Sequence, residues 1–168
     1  MNASAWITRF GASVPVGGAV LDVACGGGRH TRWFLERGHH VVAVDRDLSA
    51  VADLAGDRRV ELVTADLETG APFPVAGRTF GAVVVTNYLW RPILDDIVRA
   101  VAPGGWLLYE TFAAGNERFG HPANPDFLLR PGELLELARP HALRVVAYED
   151  VVVDEPRPAA VQRITATR

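Results

Sequence analysis

With 168 residues, 49% of them apolar and 22% charged, the chain has a globular composition and enough length to bury a core unaided. Its formal charge of -3 gives no general electrostatic reason to expect nucleic acid, and its single cysteine excludes an intramolecular disulfide. No stretch approaches the roughly 20 apolar residues of a membrane span, and the opening MNASAWITRFGASVP lacks the apolar core of a secretory signal, so a cytoplasmic protein is expected.

Residues 1–18 read as an N-terminal helix and lead-in, with Trp6 and Phe10 expected to close over whatever the site binds. Short apolar runs rich in Val and Leu follow at Ala19–Ala24, His40–Asp45, Val60–Ala65, Phe80–Thr86 and Trp106–Phe112. Continuous runs of this length suit strands buried on both faces of a parallel sheet. Helical segments separate them: Arg29 to Arg37 ended by Gly38, and Leu48 to Ala55 ended by Gly56. A third carries Ile93, Leu94, Ile97, Val98 and Val101 on one face behind Pro92, and a fourth lies between Pro131 and Pro140 with Leu134, Leu135 and Ala138 inward. Leu143–Val153 and Val161–Thr167, joined by the turn EPRP, leave no room for a helix and so pair antiparallel. The expected fold is α/β over residues 1–168 in a single domain: one doubly wound sheet of seven strands, mostly parallel, ending in a C-terminal antiparallel hairpin.

AAGNERFGHPANPDFLLR, residues 113–130, has no regular pattern. A loop of that length is usually functional, and this one leaves from the carboxyl edge of the sheet, where open α/β folds bind ligands.

The chemistry concentrates in VLDVACGGGRHTRWFLERG, residues 20–38. Gly26, Gly27 and Gly28 fall where strand becomes helix. They permit tight turning and close main-chain approach beside unpaired helix N–H groups, suiting a phosphate, a carboxylate or a ribose. Asp45 ends the next strand and can accept hydrogen bonds from both hydroxyls of a ribose, whereas Asp47 is better placed as a helix cap. Asp66, ending the third strand, can accept from an exocyclic amine or cap the turn that follows. A dinucleotide fingerprint requires glycine or alanine where Thr31 stands, and no lysine follows the glycines as a triphosphate loop requires. Both points weigh against an NAD-dependent oxidoreductase or an NTP binder.

VLDVACGGGRH, VVAVDRD, TADLE, FGAVVVTNYL and PGGWLLYETF resemble, in order, five motifs of the class I S-adenosylmethionine-dependent methyltransferases, over roughly residues 19–112. The glycine loop departs from the family's usual G-x-G-x-G. The compact length and the proline-containing loop before PGELLELA are loosely similar to the tellurite-resistance type within that family. The resemblance implies a Rossmann-like transferase with S-adenosylmethionine as cofactor and S-adenosylhomocysteine as product. It implies that Asp22, Ala24 and the Gly26–Gly28 main chain line the methionine part, although Asp22 can equally tie the loop to its own main chain. Asp45 with Arg46 would take the ribose, Asp66 and the Leu67 N–H the adenine, and Asn87 would lie close to the reactive sulfonium.

The acceptor is expected to be a small molecule, because Tyr88 and Leu89 replace the paired prolines of amino-group methyltransferases acting on DNA bases or glutamine. A protein or RNA acceptor and a non-catalytic binding module are the alternatives. No metal site is expected, and monomer and homodimer both remain open. Tyr88 and His121 are the candidate catalytic groups, with Glu110 and Glu117 nearby; Cys25 is read as a packing residue rather than a nucleophile. Trp90, Phe112 and Phe119 are candidate pocket walls, and Arg91 and Arg118 candidate holders of an anionic substrate.

Overall fold

The structure, a computed structural model, describes residues 2–168. Seven strands form one sheet: β1 Val20–Val23, β2 Val41–Asp45, β3 Val60–Thr64, β4 Phe80–Thr86, β5 Val101–Phe112, β6 Arg144–Val153 and β7 Ala159–Thr167. Their spatial order is β3-β2-β1-β4-β5-β7-β6, parallel from β3 to β5 and antiparallel at β5–β7 and β7–β6. The order in which the strands are laid down reverses beside β1, so the carboxyl ends of β1, β2 and β4 open on one crevice.

Alternate residues of the central strands feed two cores. Leu21, Val23, Val83, Val85, Leu107 and Tyr109 pack beneath α3 (Leu94–Arg99) and α4 (Glu133–Ala138). Val20, Val84 and Leu108 pack on the opposite face with α1 (Ala5–Gly11) and α2 (Arg29–Glu36), whose Phe34 is wholly buried. Removing one such side chain from water contributes about 1.5–3 kcal/mol. Among the described residues no helix is long and apolar enough to cross a membrane.

Four expectations need correction. Ser49–Gly56 is a 3-10 helix rather than an α-helix, with i to i+3 bonds such as Val51 N–H to Leu48 O. Only Val51 is buried along it, so no apolar stripe holds a wider helix in place. The fifth strand begins at Val101 instead of Trp106, running through Pro103, Gly104 and Gly105 beside a register shift. Gly105 makes this possible, because a Cβ there would sit 2.8 Å from two carbonyl oxygens. Third, Trp6 and Phe10 do not close over the crevice. Trp6 is buried against the sheet, its indole N–H donates to Ile164 O at 3.4 Å, and Phe10 packs on it. The residues just before α1 reach the carboxyl edge in their place.

Finally, residues 113–130 are folded rather than irregular. Ala114 N–H donates to Leu129 O and Leu129 N–H to Phe112 O, closing the ends of the loop on each other. Buried Asn116 donates to Pro122 O and accepts from Ala160 N–H, and 3-10 turns form at Asn116–Arg118 and Pro125–Phe127.

Candidate functional site

At the carboxyl edge, the two residues that follow β1 and β4 are strained. Ala24 (φ 53°) and Asn87 (φ 54°) both sit in the left-handed region without being glycine. Such strain costs of the order of 1–3 kcal/mol and collects at binding edges.

The three glycines divide the work between them. Gly28 (φ 70°) packs so closely that a Cβ would lie 2.3 Å from Val51 Cγ1, whereas Cβ atoms on Gly26 or Gly27 would meet nothing within 4 Å. Gly28 is therefore bare for packing, and Gly26 and Gly27 leave main chain open to a ligand. Gly28→Ala should cost about 2–4 kcal/mol by overpacking and backbone strain. Gly27→Ala should leave stability within about 0.5 kcal/mol while weakening S-adenosylhomocysteine binding. Urea unfolding and titration of both variants check this contrast.

The loop is held from both sides. Asp45 accepts from the Gly26 N–H at 2.8 Å and, with its other oxygen, from the Asp47 N–H at 3.0 Å. Asp22 lies beneath the loop, 1% exposed, and its carboxylate accepts from Thr31 Oγ1 at 2.6 Å. Burial raises the Asp22 carboxyl to about 6 against the opposing pull of Thr31. One residue earlier on α2, buried His30 accepts at Nε2 from the Ser4 N–H, so its neutral ring carries the proton on Nδ1 and donates to Thr86 Oγ1 at 3.2 Å. Burial, helped by Arg29, lowers His30 to about 3. Thr31 and His30 thus pin the first turn of α2 to β1 and β4. Cys25 sits in the same loop, and burial, then the charges of Asp22 and Asp45, pushes its thiol up to about 12. It is inert as a nucleophile.

The crevice holds two chambers that share Glu68, Tyr88 and Phe127. The larger, about 480 Å³, is bounded by Ala24, Asp45, Arg46, Asp66 and Leu67. Asp66 accepts from the Glu68 N–H at 2.9 Å, so the turn-capping alternative is realised with one of its oxygens while the other stays unengaged. The smaller chamber, about 230 Å³, adds Asn87, Thr111 and Phe112. Open glycine main chain, carboxylates with unused lone pairs and a cavity of this size together fit a nucleoside with a polar tail. No group of metal-ligating side chains occurs among the described residues.

The expected site residues therefore scatter unevenly. Ala24, Asp45, Arg46, Asp66 and Leu67 line the first chamber and Asn87 the second, while Asp22 and Gly26–Gly28 line neither. Tyr88 stands at the junction. Its main-chain carbonyl accepts from the buried Tyr109 hydroxyl at 2.9 Å, and its own hydroxyl is buried without a protein partner. Burial, then Glu68, Asp66 and Asp45, holds that phenol above its usual range, so it can donate a hydrogen bond but cannot serve as a base near neutrality.

The remaining candidates lie elsewhere. His121 is exposed and lines neither chamber. Glu110 is engaged by the Ser4 hydroxyl and Arg163, and Glu117 by the Gly115 N–H. Trp90 packs against the core, and Phe119 is exposed with the Arg118 guanidinium 5.1 Å from its ring centre. Arg91 is not free for an anion: it forms a two-pronged bond to Glu133 at 2.7 and 3.0 Å and donates to Asp126 O and Leu128 O. Sequence reasoning missed His30, Glu68 and Phe127. Glu68 had a visible signal, two residues past Asp66; Phe127, inside an unpatterned loop, had none.

Comparison with known proteins agrees with this architecture. Residues 20–105 match the methyltransferase domain family. The malonyl-[acyl-carrier protein] O-methyltransferase of Serratia marcescens is 34% identical over 112 residues, 64% of this chain and 43% of that protein, so the match spans less than half the relative's length. Two solved structures share the fold. TehB from Haemophilus influenzae is 16% identical with a TM-score of 0.74, covering 97% of this chain and 61% of its own. The 1,6-didemethyltoxoflavin-N1-methyltransferase of Burkholderia thailandensis, solved with 1,6-didemethyltoxoflavin and S-adenosylhomocysteine bound, is 24% identical with a TM-score of 0.70, covering 97% and 76%. The seven-stranded sheet with its terminal antiparallel pair, the glycine loop beneath Asp45 and the family match together place this chain among the class I S-adenosylmethionine-dependent methyltransferases.

Proposed function

We propose that the protein methylates a small molecule held in the smaller chamber. The observation that carries this reading is the chamber itself: about 230 Å³, bordering the larger one at Glu68, Tyr88 and Phe127, and walled by the folded 113–130 loop at Pro122 and Phe127. A space of that size accepts a ring or a short chain. The 1,6-didemethyltoxoflavin bound in the structure of the similarly folded Burkholderia thailandensis enzyme supports the same reading.

In this reading Asp45 and Arg46 hold the ribose, Asp66 and the Leu67 N–H the adenine, the Gly26–Gly28 main chain the amino-acid end, and Asn87 the approach to the second chamber. Bound there, S-adenosylmethionine supplies an electrophilic methyl group on sulfur. The chain's own part is to position the acceptor against that methyl and exclude water, an orientation effect that can contribute several kcal/mol. Tyr88, protonated and unpartnered, offers a donor to the acceptor or to the nucleoside.

The test is calorimetric titration with S-adenosylmethionine, S-adenosylhomocysteine and NAD in parallel, then a methyl-transfer screen over small acceptors. Micromolar binding of the first two with none of NAD, and turnover on a small acceptor, is expected. NAD binding alone, or turnover confined to protein or RNA, would overturn the proposal.

A further inference from the structure

The lining of the acceptor chamber carries charge of one sign. Of the residues lining it, Glu68 is the one ionic group, and it has no ion-pair partner among the described residues. The cations that might have balanced it are committed elsewhere. Arg91 is bound to Glu133 and two carbonyls, Arg118 lies over Phe119, and Arg157, which does not line the chamber, donates to His121 O with its guanidinium 6.0 Å from the Phe112 ring centre. The neighbouring chamber carries Asp45, Asp66 and Glu68 against a single guanidinium, Arg46. The rest of the acceptor wall is largely apolar or aromatic: Tyr88, Leu89, Phe112, Pro122 and Phe127.

A carboxylate at the rim of an aromatic pocket is the complement of an organic cation, since ring faces and the carboxylate both attract positive charge. The same lining repels an anion, which would be desolvated there with no counter-charge. We infer that the acceptor carries a basic nitrogen beside an apolar, ring-sized body, with Glu68 engaging the nitrogen and Tyr88, Phe112 and Phe127 the body. The inference rests on the small-molecule reading above and narrows it. Arriving as an ammonium, the nitrogen gives one proton to Glu68 and thence to water at the open rim. Its freed lone pair forms the new bond to carbon, and the electron pair of the broken carbon–sulfur bond stays on sulfur.

The experiment uses the full chain saturated with S-adenosylhomocysteine, titrated with benzylamine, benzyl alcohol and benzoate, three probes of one size and different charge. Benzylamine should bind at least tenfold more tightly than either of the others, and Glu68→Gln should reduce that preference to near unity. Equal binding of the three, no binding of any, tighter benzoate binding, or a preference surviving Glu68→Gln would each overturn the inference while leaving the parent reading intact. Failure of S-adenosylhomocysteine itself to bind, seen in the saturation step, would overturn both.

Discussion

Arg91→Ala will destabilise the protein by about 3 kcal/mol at neutral pH, and it will do so through the residue left behind. Glu133 is the buried partner, its side chain 7% exposed against 34% for Arg91. Burial pushes the Glu133 carboxyl up, but hydrogen bonds from Arg91 and from the Arg130 N–H outweigh that and hold it below its usual range. Removing the guanidinium strands a charge in a site built for a pair. An exposed ion pair would contribute no more than about 1 kcal/mol, so the size of the loss reports the burial of Glu133.

The sign of the pH dependence follows. With a depressed carboxyl, the native protein gains stability above the unfolded-state value and loses it as pH falls. In Arg91→Ala the burial remains without its compensation, so the carboxyl rises and protonation relieves the strain. The deficit should therefore shrink on acidification. Urea midpoints at several pH values test this, and Arg91→Ala/Glu133→Ala should cost less than the two single changes combined. The clamp also bears on the site. Arg91 bonds the carbonyls of Asp126 and Leu128, flanking Phe127, which walls both chambers. Losing it should free the loop and speed native-state trypsin cleavage after Arg118. A loss below about 1 kcal/mol, flat with pH and without faster cleavage, would show the pair to be a surface ornament.

That clamp was illegible in the sequence for a physical reason: Arg91 and Glu133 meet across a fold, and nothing local to either residue announces the other. The parallel strands were legible because burial on both faces demands continuous apolar runs, as in VVAVD and FGAVVVT. That Asp45 lies in the crevice was legible because it ends such a run at the carboxyl edge of the sheet. The 3-10 helix at Ser49–Gly56 was not, since i+3 and i+4 hydrogen bonds leave similar residue spacings over eight residues. Asp22 shows the limit most clearly. The sequence left open whether it lines a ligand or ties the loop to its own main chain, and the contact it makes in the structure, from the Thr31 hydroxyl on the following helix, is announced by nothing local.

Asp22 and His30 should cancel each other's pH dependence, and single substitutions should expose each. His30 falls from 6.5 in the unfolded chain to about 3, so the unfolded state takes up its proton first and stability declines as pH drops through that window. Asp22 rises from 3.8 to about 6, so here the native state takes up the proton first and stability grows as pH drops between those values. The slopes are opposite and overlap between roughly pH 6 and 4, where their sum is near zero. Asp22→Asn removes the compensating rise: going from about pH 6.5 to about 4.5, unfolding free energy should fall by about 2 kcal/mol. His30→Gln removes the decline, and over the same interval stability should rise by about 2 kcal/mol. Other carboxylates titrate in both variants alike, so the divergence between the two urea-unfolding profiles isolates this pair. Parallel profiles would mean that neither group is held in its buried charge state. The consequence is that these two anchors of the first turn of α2 add little net pH dependence under mild acidification, because the proton that the unfolded chain takes up at His30 is matched by the one that the native state takes up at Asp22.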